Sequence, residues 1–167
     1  MKISIIVAID KNNAIGKDNK LLCHISEDLK RFKAITNEHC VIMGRNTYLS
    51  LPNRPLKNRK NIVISHLYEQ DKIDFEGAVV VPNIEEAIKA ADHEKENFII
   101  GGAMVYEQFF TLADKLYLTV IHREYDADTF FPKIKIGEEW DIIDQELHFD
   151  NEPPFKYLTL LRKKMSD

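Results

Sequence analysis

Residues 98–109, FIIGGAMVYEQF, run a short apolar stretch into two glycines and then into the helical pattern AMVYEQFF at 103–110. Read as strand, turn and helix, this unit brings free backbone N–H groups and the positive end of a helix dipole to one point. Glycine there lets the backbone approach a bound anion closely. A second such unit is CVIMGRNTYLSL at 40–51, where Gly44 makes the turn, Arg45 adds a permanent charge, and Asn46 or Thr47 begins the helix. A Gly-Gly turn alone is more often plain chain reversal. Two units together with a strand ending in Ser65-His66 point to a ligand that carries phosphate.

Outward from these units, short β-branched runs recur at 3–9 (ISIIVAI), 61–65 (NIVIS), 78–81 (AVVV), 115–121 (KLYLTVI) and 157–161 (YLTLL). Several are continuously apolar, as central strands buried on both faces are. Helical patterns lie between them at Ser26–Thr36, at Thr47–Leu51, and at NIEEAIKAA, where Asn83 and Glu86 form a capping-box pair. Strand and helix alternate through the first two-thirds, which predicts an α/β domain with a mainly parallel sheet. The strand-rich last third predicts an antiparallel hairpin closing one edge. The charged stretches EQDKID and DHEKEN read as solvated loops. The 14-residue connection DKNNAIGKDNKLLC, 10–23, is long for a compact domain and suits a lid.

The chain has 167 residues, 44% hydrophobic and 30% charged, enough for one core, so a single domain over 1–167 is expected. A net charge of −4 gives no basic field for nucleic-acid phosphates or anionic membranes. No run has the length of a membrane span, and MKISIIVAID lacks a signal-peptide pattern, so a cytoplasmic location is expected. Cys23 and Cys40 are the only cysteines and no Cys/His cluster has zinc spacing, so neither a disulfide framework nor a metal site is expected.

One residue breaks the pattern. In HISEDLKRF, 24–32, Ser26 reads as an N-cap and Glu27 and Asp28 complement the helix dipole. Asp28, however, falls on the same stripe as Phe32 and Ile35, with Leu29 on its flank, where a core-facing apolar residue belongs. On the cofactor side, the acidic strand end of the usual NAD fingerprint is absent. Arg45, Ser65 and His66 stand at strand ends instead and suit an extra phosphate, which favours NADPH over NADH.

VAIDKNNAIGKDN, SEDLKRFK, VIMGRNTY, RPLKNRKNIVIS, IIGGAMVYEQF, LYLTVI and DADTFFP, in this order, closely resemble the bacterial chromosomal type of dihydrofolate reductase. The resemblance runs over nearly the whole chain. It implies an eight-stranded mixed sheet flanked by four helices and hydride transfer from NADPH to 7,8-dihydrofolate. It makes Asp28 the carboxylate that hydrogen-bonds the pterin and Thr119 its support. Arg59 becomes the clamp on the substrate's α-carboxylate, Ile6, Val7, Phe32, Leu51 and Ile100 the pocket wall, and Lys33 and Arg54 neighbours of the substrate tail. On the cofactor side it implies Ala8, Ile15, Gly16, Asn19 and Leu21 near the nicotinamide and lid. Gly44, Arg45, Asn46, Thr47, Ser65 and His66 would take the adenosine and 2′-phosphate, with Gly101, Gly102, Ala103, Met104, Val105 and Tyr106 around the pyrophosphate turn. A cis Gly101-Gly102 bond is implied, as is a lid-steadying place for Thr129.

The chain departs from the family where Leu22-Cys23 replaces the usual Pro-Trp, removing a tryptophan that helps organise water near the pterin. Burial among Phe32, Ile35 and Ile100 is expected to raise the Asp28 pKa, and a protonated pterin to lower it. The expected partners are small molecules, the substrate and antifolate inhibitors, and the expected state is a monomer. Two other readings stand beside this one: a reductase of the same fold acting on a ribosylated pyrimidine, and a non-catalytic NADPH- or pterin-binding module. The combination of Asp28, Thr119 and Arg59 argues against the first, and turnover separates the second.

Overall fold

The structure is a computed structural model that describes residues 1–18 and 20–164. Its centre is β1 (Lys2–Ile9), flanked in parallel by β7 (Glu96–Gly101) and β8 (Lys115–Ile121). Beyond β7 lie β4 (Cys40–Gly44), β5 (Lys60–Ile64) and β6 (Val79–Val81), all parallel. Beyond β8, β11 (Phe155–Arg162) and β10 (Trp140–His148) close the edge as the expected antiparallel hairpin. The eight strands thus form one mixed, mainly parallel sheet in the order β10-β11-β8-β1-β7-β4-β5-β6. The continuous apolar runs follow from burial on both faces. One apolar cluster holds Ile5, Ile42, Ile62, Ile99 and Leu116; the other holds Val41, Met43, Val63 and Phe98.

The described residues contain five helices where the family resemblance implied four: α1 (Ser26–Thr36), α2 (Arg45–Ser50), α3 (Tyr68–Asp74), α4 (Ile84–Ala90) and α5 (Ala103–Phe110). The additional one, α3, covers the EQDKID stretch that its charge marked as a loop. Glu69, Lys72 and Asp74 are exposed as that charge requires, but Asp71 and the following Phe75 are buried, so the turn is held by one polar and one aromatic anchor. The capping pair is half realised: Asn83 Oδ1 accepts the Glu86 N–H at 2.9 Å. In α1 the N-cap is Ile25, and Ser26 is the first helical residue.

The long connection after β1 is partly paired backbone. β2 (Ala14–Lys17) and β3 (Lys20–Leu21) form a hairpin, and β9 (Thr129–Phe130) joins it in a second sheet of order β3-β2-β9. Its anchor is Asp10, 1% exposed, whose carboxylate accepts N–H bonds from Asn12 (2.7 Å), Ala14 (2.9 Å) and Tyr125 (2.9 Å). Among the described residues no helix is long and apolar enough to cross a membrane.

Candidate active site

The apolar stripe of α1 is not sealed into the core. Phe32 and Ile35 are half-buried, Leu29 is 48% exposed, and only Thr36 is fully buried. Ile6, Ile35, Leu51 and Ile100 are likewise half-buried against the Val41, Met43 and Phe98 cluster. The result is an apolar surface packed from behind and uncovered in front. Val7, the next residue in β1, turns its side chain to the opposite face of the sheet and is buried in the other cluster.

Asp28 sits on this surface in the first turn of α1. Thr119 Oγ1, buried in β8, donates to Asp28 Oδ1 at 2.5 Å. β8 pairs with β1 and β11 so that Thr119 stands between Ala8 and Tyr157, which fixes the hydroxyl beneath the carboxylate. Burial raises the Asp28 pKa above the usual carboxylate range, while the Thr119 hydrogen bond and then the Arg31 charge pull it back. Arg31 itself lies 4.0 Å from the Tyr157 ring centroid. The Tyr157 phenol is pushed up to about 12, first by burial and then by the Asp28 charge. Tyr106, buried on α5, donates its hydroxyl to the Ile6 carbonyl at 2.9 Å and stays a neutral donor because burial and then Asp28 raise its pKa.

At the far end of α1, Arg59 is oriented before any ligand arrives. Its Nε donates to the Lys57 carbonyl at 2.9 Å and Nη1 to Thr36 Oγ1 at 3.0 Å, and the guanidinium lies 5.9 Å from the Phe32 ring centroid. Burial lowers its pKa. Lys33 is exposed on the outer side of α1, where with Lys30, Asn37 and Asn58 it lines an open hollow. Arg54 Nη1 donates to the Leu49 carbonyl at 2.7 Å, at the C-terminal turn of α2.

The two glycine turns meet because β4 and β7 are neighbours. A Cβ on Gly44 would lie 3.2 Å from Val105 Cγ2, and one on Gly101 or Gly102 would lie 3.1 or 3.4 Å from Thr47 Oγ1. Gly101 has φ +136° and the Gly101-Gly102 bond is cis, as the resemblance implied. Ala103 and Met104 open α5, and Met104 is 74% exposed. Beside these turns Arg45 Nε donates to Asp71 Oδ2 at 2.7 Å and Ser65 Oγ to the same oxygen at 2.5 Å. Asn46 and His66 are exposed next to them. These parts fit a dinucleotide with an extra phosphate: the side-chain space at Gly44 and Gly101 is tightly occupied, so backbone alone faces a ligand there, and a guanidinium stands at the strand end.

The lid strands bring Ile15 and Gly16 beside Thr129, with Gly16 paired to Thr129 and Leu21. The Asp18 N–H donates to Asp128 Oδ2 at 3.0 Å, and Thr129 Oγ1 to Asp128 Oδ1 at 2.7 Å. Leu21 is 75% exposed on this hairpin. Asn19, expected on the cofactor side, lies outside the described residues. Leu22 and Cys23 are half-buried just before α1, and Cys23 neighbours the Tyr125 phenol.

Sequence reasoning missed Arg31 and Tyr157, which share the Asp28 environment, and Asp10 and Asp71, which organise lid and strand end. Only Asp10 carried a signal: Asp followed by Lys-Asn-Asn after a strand is turn chemistry.

The family model described as "Dihydrofolate reductase" matches residues 2–162. A dihydrofolate reductase of Bacillus subtilis is 40% identical over 163 residues, covering 97% of this chain and 94% of that one. One from Haemophilus influenzae is 40% identical over 166 residues, covering 98% and 100%. The solved dihydrofolate reductase from Enterococcus faecalis, complexed with NADP(H) and RAB-propyl, superposes with a TM-score of 0.85 at 32% identity over 98% of this chain and 97% of that chain.

Proposed function

The chain belongs to the dihydrofolate reductase family, and on that premise we propose that Asp28 is the polar anchor of the pterin and Arg59 the clamp of the substrate's carboxylate. The activity is NADPH-dependent reduction of 7,8-dihydrofolate to 5,6,7,8-tetrahydrofolate, which supports one-carbon metabolism. When bound, NADPH supplies the hydride for the ring carbon; the adjacent nitrogen takes a proton. The observation that carries the assignment of Asp28 is its hydrogen bond to Thr119 on an otherwise apolar, uncovered surface. That bond occupies Oδ1; among the described residues Oδ2 has no partner and is free to accept from the pterin edge. Asp28 orients and polarises the ring, and water delivers the proton.

Ile6, Phe32, Leu51 and Ile100 enclose the aromatic part of the substrate in this reading, with the Val7 backbone beside Ile6 and with Lys33 and Arg54 toward its tail. Ala8, Ile15, Gly16, Asn19, Leu21 and Thr129 belong to the nicotinamide side and lid. Gly44, Asn46, Thr47, His66 and the stretch from Gly101 to Tyr106 hold the rest of the cofactor, whose 2′-phosphate meets Arg45. The enzyme works as one domain over 1–167, a cytoplasmic monomer whose partners are small molecules, antifolates among them, and not nucleic acid. Sedimentation at micromolar concentration tests the monomer.

Mixing the protein with NADPH and dihydrofolate tests the whole assignment. Substrate-dependent loss of nicotinamide absorbance is expected, and cofactor binding without turnover would reduce the protein to a binding module. Arg59→Lys is expected to raise the KM for dihydrofolate roughly tenfold to a hundredfold with kcat held, because a point charge replaces a fork pre-set by Lys57 and Thr36. Thr119→Val removes the donor that favours the ionised Asp28; kcat/KM at pH 7 should fall about tenfold and the pH profile move upward. An unshifted profile would deny the hydrogen bond its role.

A further inference from the structure

The additional helix α3 exists around one buried carboxylate, and that carboxylate lies behind the Arg45 guanidinium to which the cofactor's phosphate is assigned. Asp71 is 1% exposed, and its Oδ2 receives both the Arg45 Nε–H at 2.7 Å and the Ser65 hydroxyl at 2.5 Å. Ser65, also 1% exposed, accepts the Leu67 N–H at 3.0 Å on the same oxygen with which it donates to Asp71. Its single hydroxyl proton is therefore spent inside the protein, and it has none for a ligand. Arg45 is used differently. Its contact with Asp71 is through Nε, and among the described residues its two terminal nitrogens make no hydrogen bond, on a side chain 30% exposed.

A guanidinium is a rigid planar fork, so fixing one N–H fixes the direction of the other four. An Arg held in this way presents its remaining donors to a phosphate without losing rotamer freedom at the moment of binding. The negative charge of Asp71 works the other way, because it cancels part of the field that would draw in an anion. Charge-assisted bonds from a bidentate fork are roughly twice as strong as neutral ones, so orienting the Arg45 donors opposes the loss of field.

We propose that Asp71, supported by Ser65, is a positioning residue that sets Arg45 to receive the cofactor's 2′-phosphate, and so fixes the preference for NADPH over NADH. It acts through Arg45 and does not touch the cofactor. The inference rests on the assignment of Arg45 given above.

The test is calorimetric titration of the 167-residue chain with NADPH and with NADH, on the unaltered sequence, Arg45→Ala, Asp71→Asn and the double variant. Asp71→Asn should weaken NADPH about tenfold and NADH less than about threefold, with the Asp71→Asn effect on NADPH absent in the Arg45→Ala background. Turnover at saturating NADPH supplies the second readout, in which the loss falls on KM and not on kcat. Tighter NADPH binding by Asp71→Asn would overturn the proposal, since Asp71 would then be a charge opposing the phosphate. Equal losses for both cofactors would overturn it too, because they mark general damage to α3. If Arg45→Ala leaves the ratio of the two affinities unchanged, the assignment of Arg45 itself fails. If Arg45→Ala lowers that ratio and Asp71→Asn does not, the positioning role alone fails. Should Asp71→Asn not fold, the double variant removes the unpaired cation, and Ser65→Ala takes its place as the perturbation: a selective NADPH loss that vanishes without Arg45 supports the proposal, and a loss that persists there refutes it.

Discussion

Asp28→Asn is expected to fold, to bind NADPH, and to lose about 10²–10⁴-fold in turnover at pH 7, with a rate that climbs as the solution is acidified. Asn keeps an oxygen for the Thr119 hydroxyl to bond, so the local geometry survives. What disappears is the ionisable group, and solution must then protonate the substrate. The neighbouring phenols of Tyr106 and Tyr157, whose pKa values burial and then the Asp28 charge raise, stay neutral across this range and cannot substitute. Stopped-flow turnover between pH 5 and pH 9 reads the effect; full activity near neutrality would sink the role given to Asp28.

The same substitution should raise the stability of the ligand-free protein. Burial places the folded-state pKa of Asp28 above its unfolded value, so between those two values the folded chain binds more protons than the unfolded one. Stability from this group is present at low pH and is lost as pH rises through the folded pKa. At neutral pH the ionised carboxylate is a cost, and its removal should lift Tm by about 2–4 °C. A fall in Tm at pH 7 would contradict the sign.

Gly101→Ala is the second large effect. A side chain at φ +136° is strained wherever it stands, and here its Cβ would also meet Thr47 Oγ1 at 3.1 Å and the Tyr106 hydroxyl at 3.6 Å. The expected loss is about 2 kcal/mol, lowering Tm by roughly 4–8 °C, and NADPH should bind at least about tenfold more weakly as the two glycine turns part. Gly137→Ala separates the two contributions. Gly137 also has positive φ, +92°, but nothing lies within 4 Å of its added Cβ. It should lose stability and keep its cofactor affinity. A Gly101→Ala protein with unchanged Tm and NADPH affinity would remove the cradle from the explanation.

Local patterns carried the parts of the fold that local physics decides. β4–Gly44–α2 and β7–Gly101–Gly102–α5 are each contiguous, and apolar strands ending in glycine announce themselves. Pairing between distant segments left little trace. β10 exposes seven of its nine residues, so it has no apolar rhythm; it is a strand because β11 offers it a backbone partner. β2 and β9 are short and meet from opposite ends of the chain. At the site, Asp28 stood out as a charge on an apolar stripe, although that stripe faces an open surface and not the core. Its meaning came from resemblance, as did those of Thr119 and Arg59, which look like an ordinary strand threonine and an ordinary loop arginine. Asp71 was hidden by its company, since one buried acid among Glu69, Lys72 and Asp74 has no distinguishing spacing.

The order of elements along the chain also sets the order in which these parts are made. The turns that follow β4, β5 and β7 lie between residues 40 and 102, whereas Asp28 waits for a partner 91 positions further along the chain. During synthesis, the turns at Gly44, Ser65 and Gly101 therefore leave the ribosome before the hydroxyl that steadies the Asp28 carboxylate. β11, which buttresses Thr119 from the other side, arrives later still. A nascent chain holds both glycine turns before it holds the group that supports Asp28.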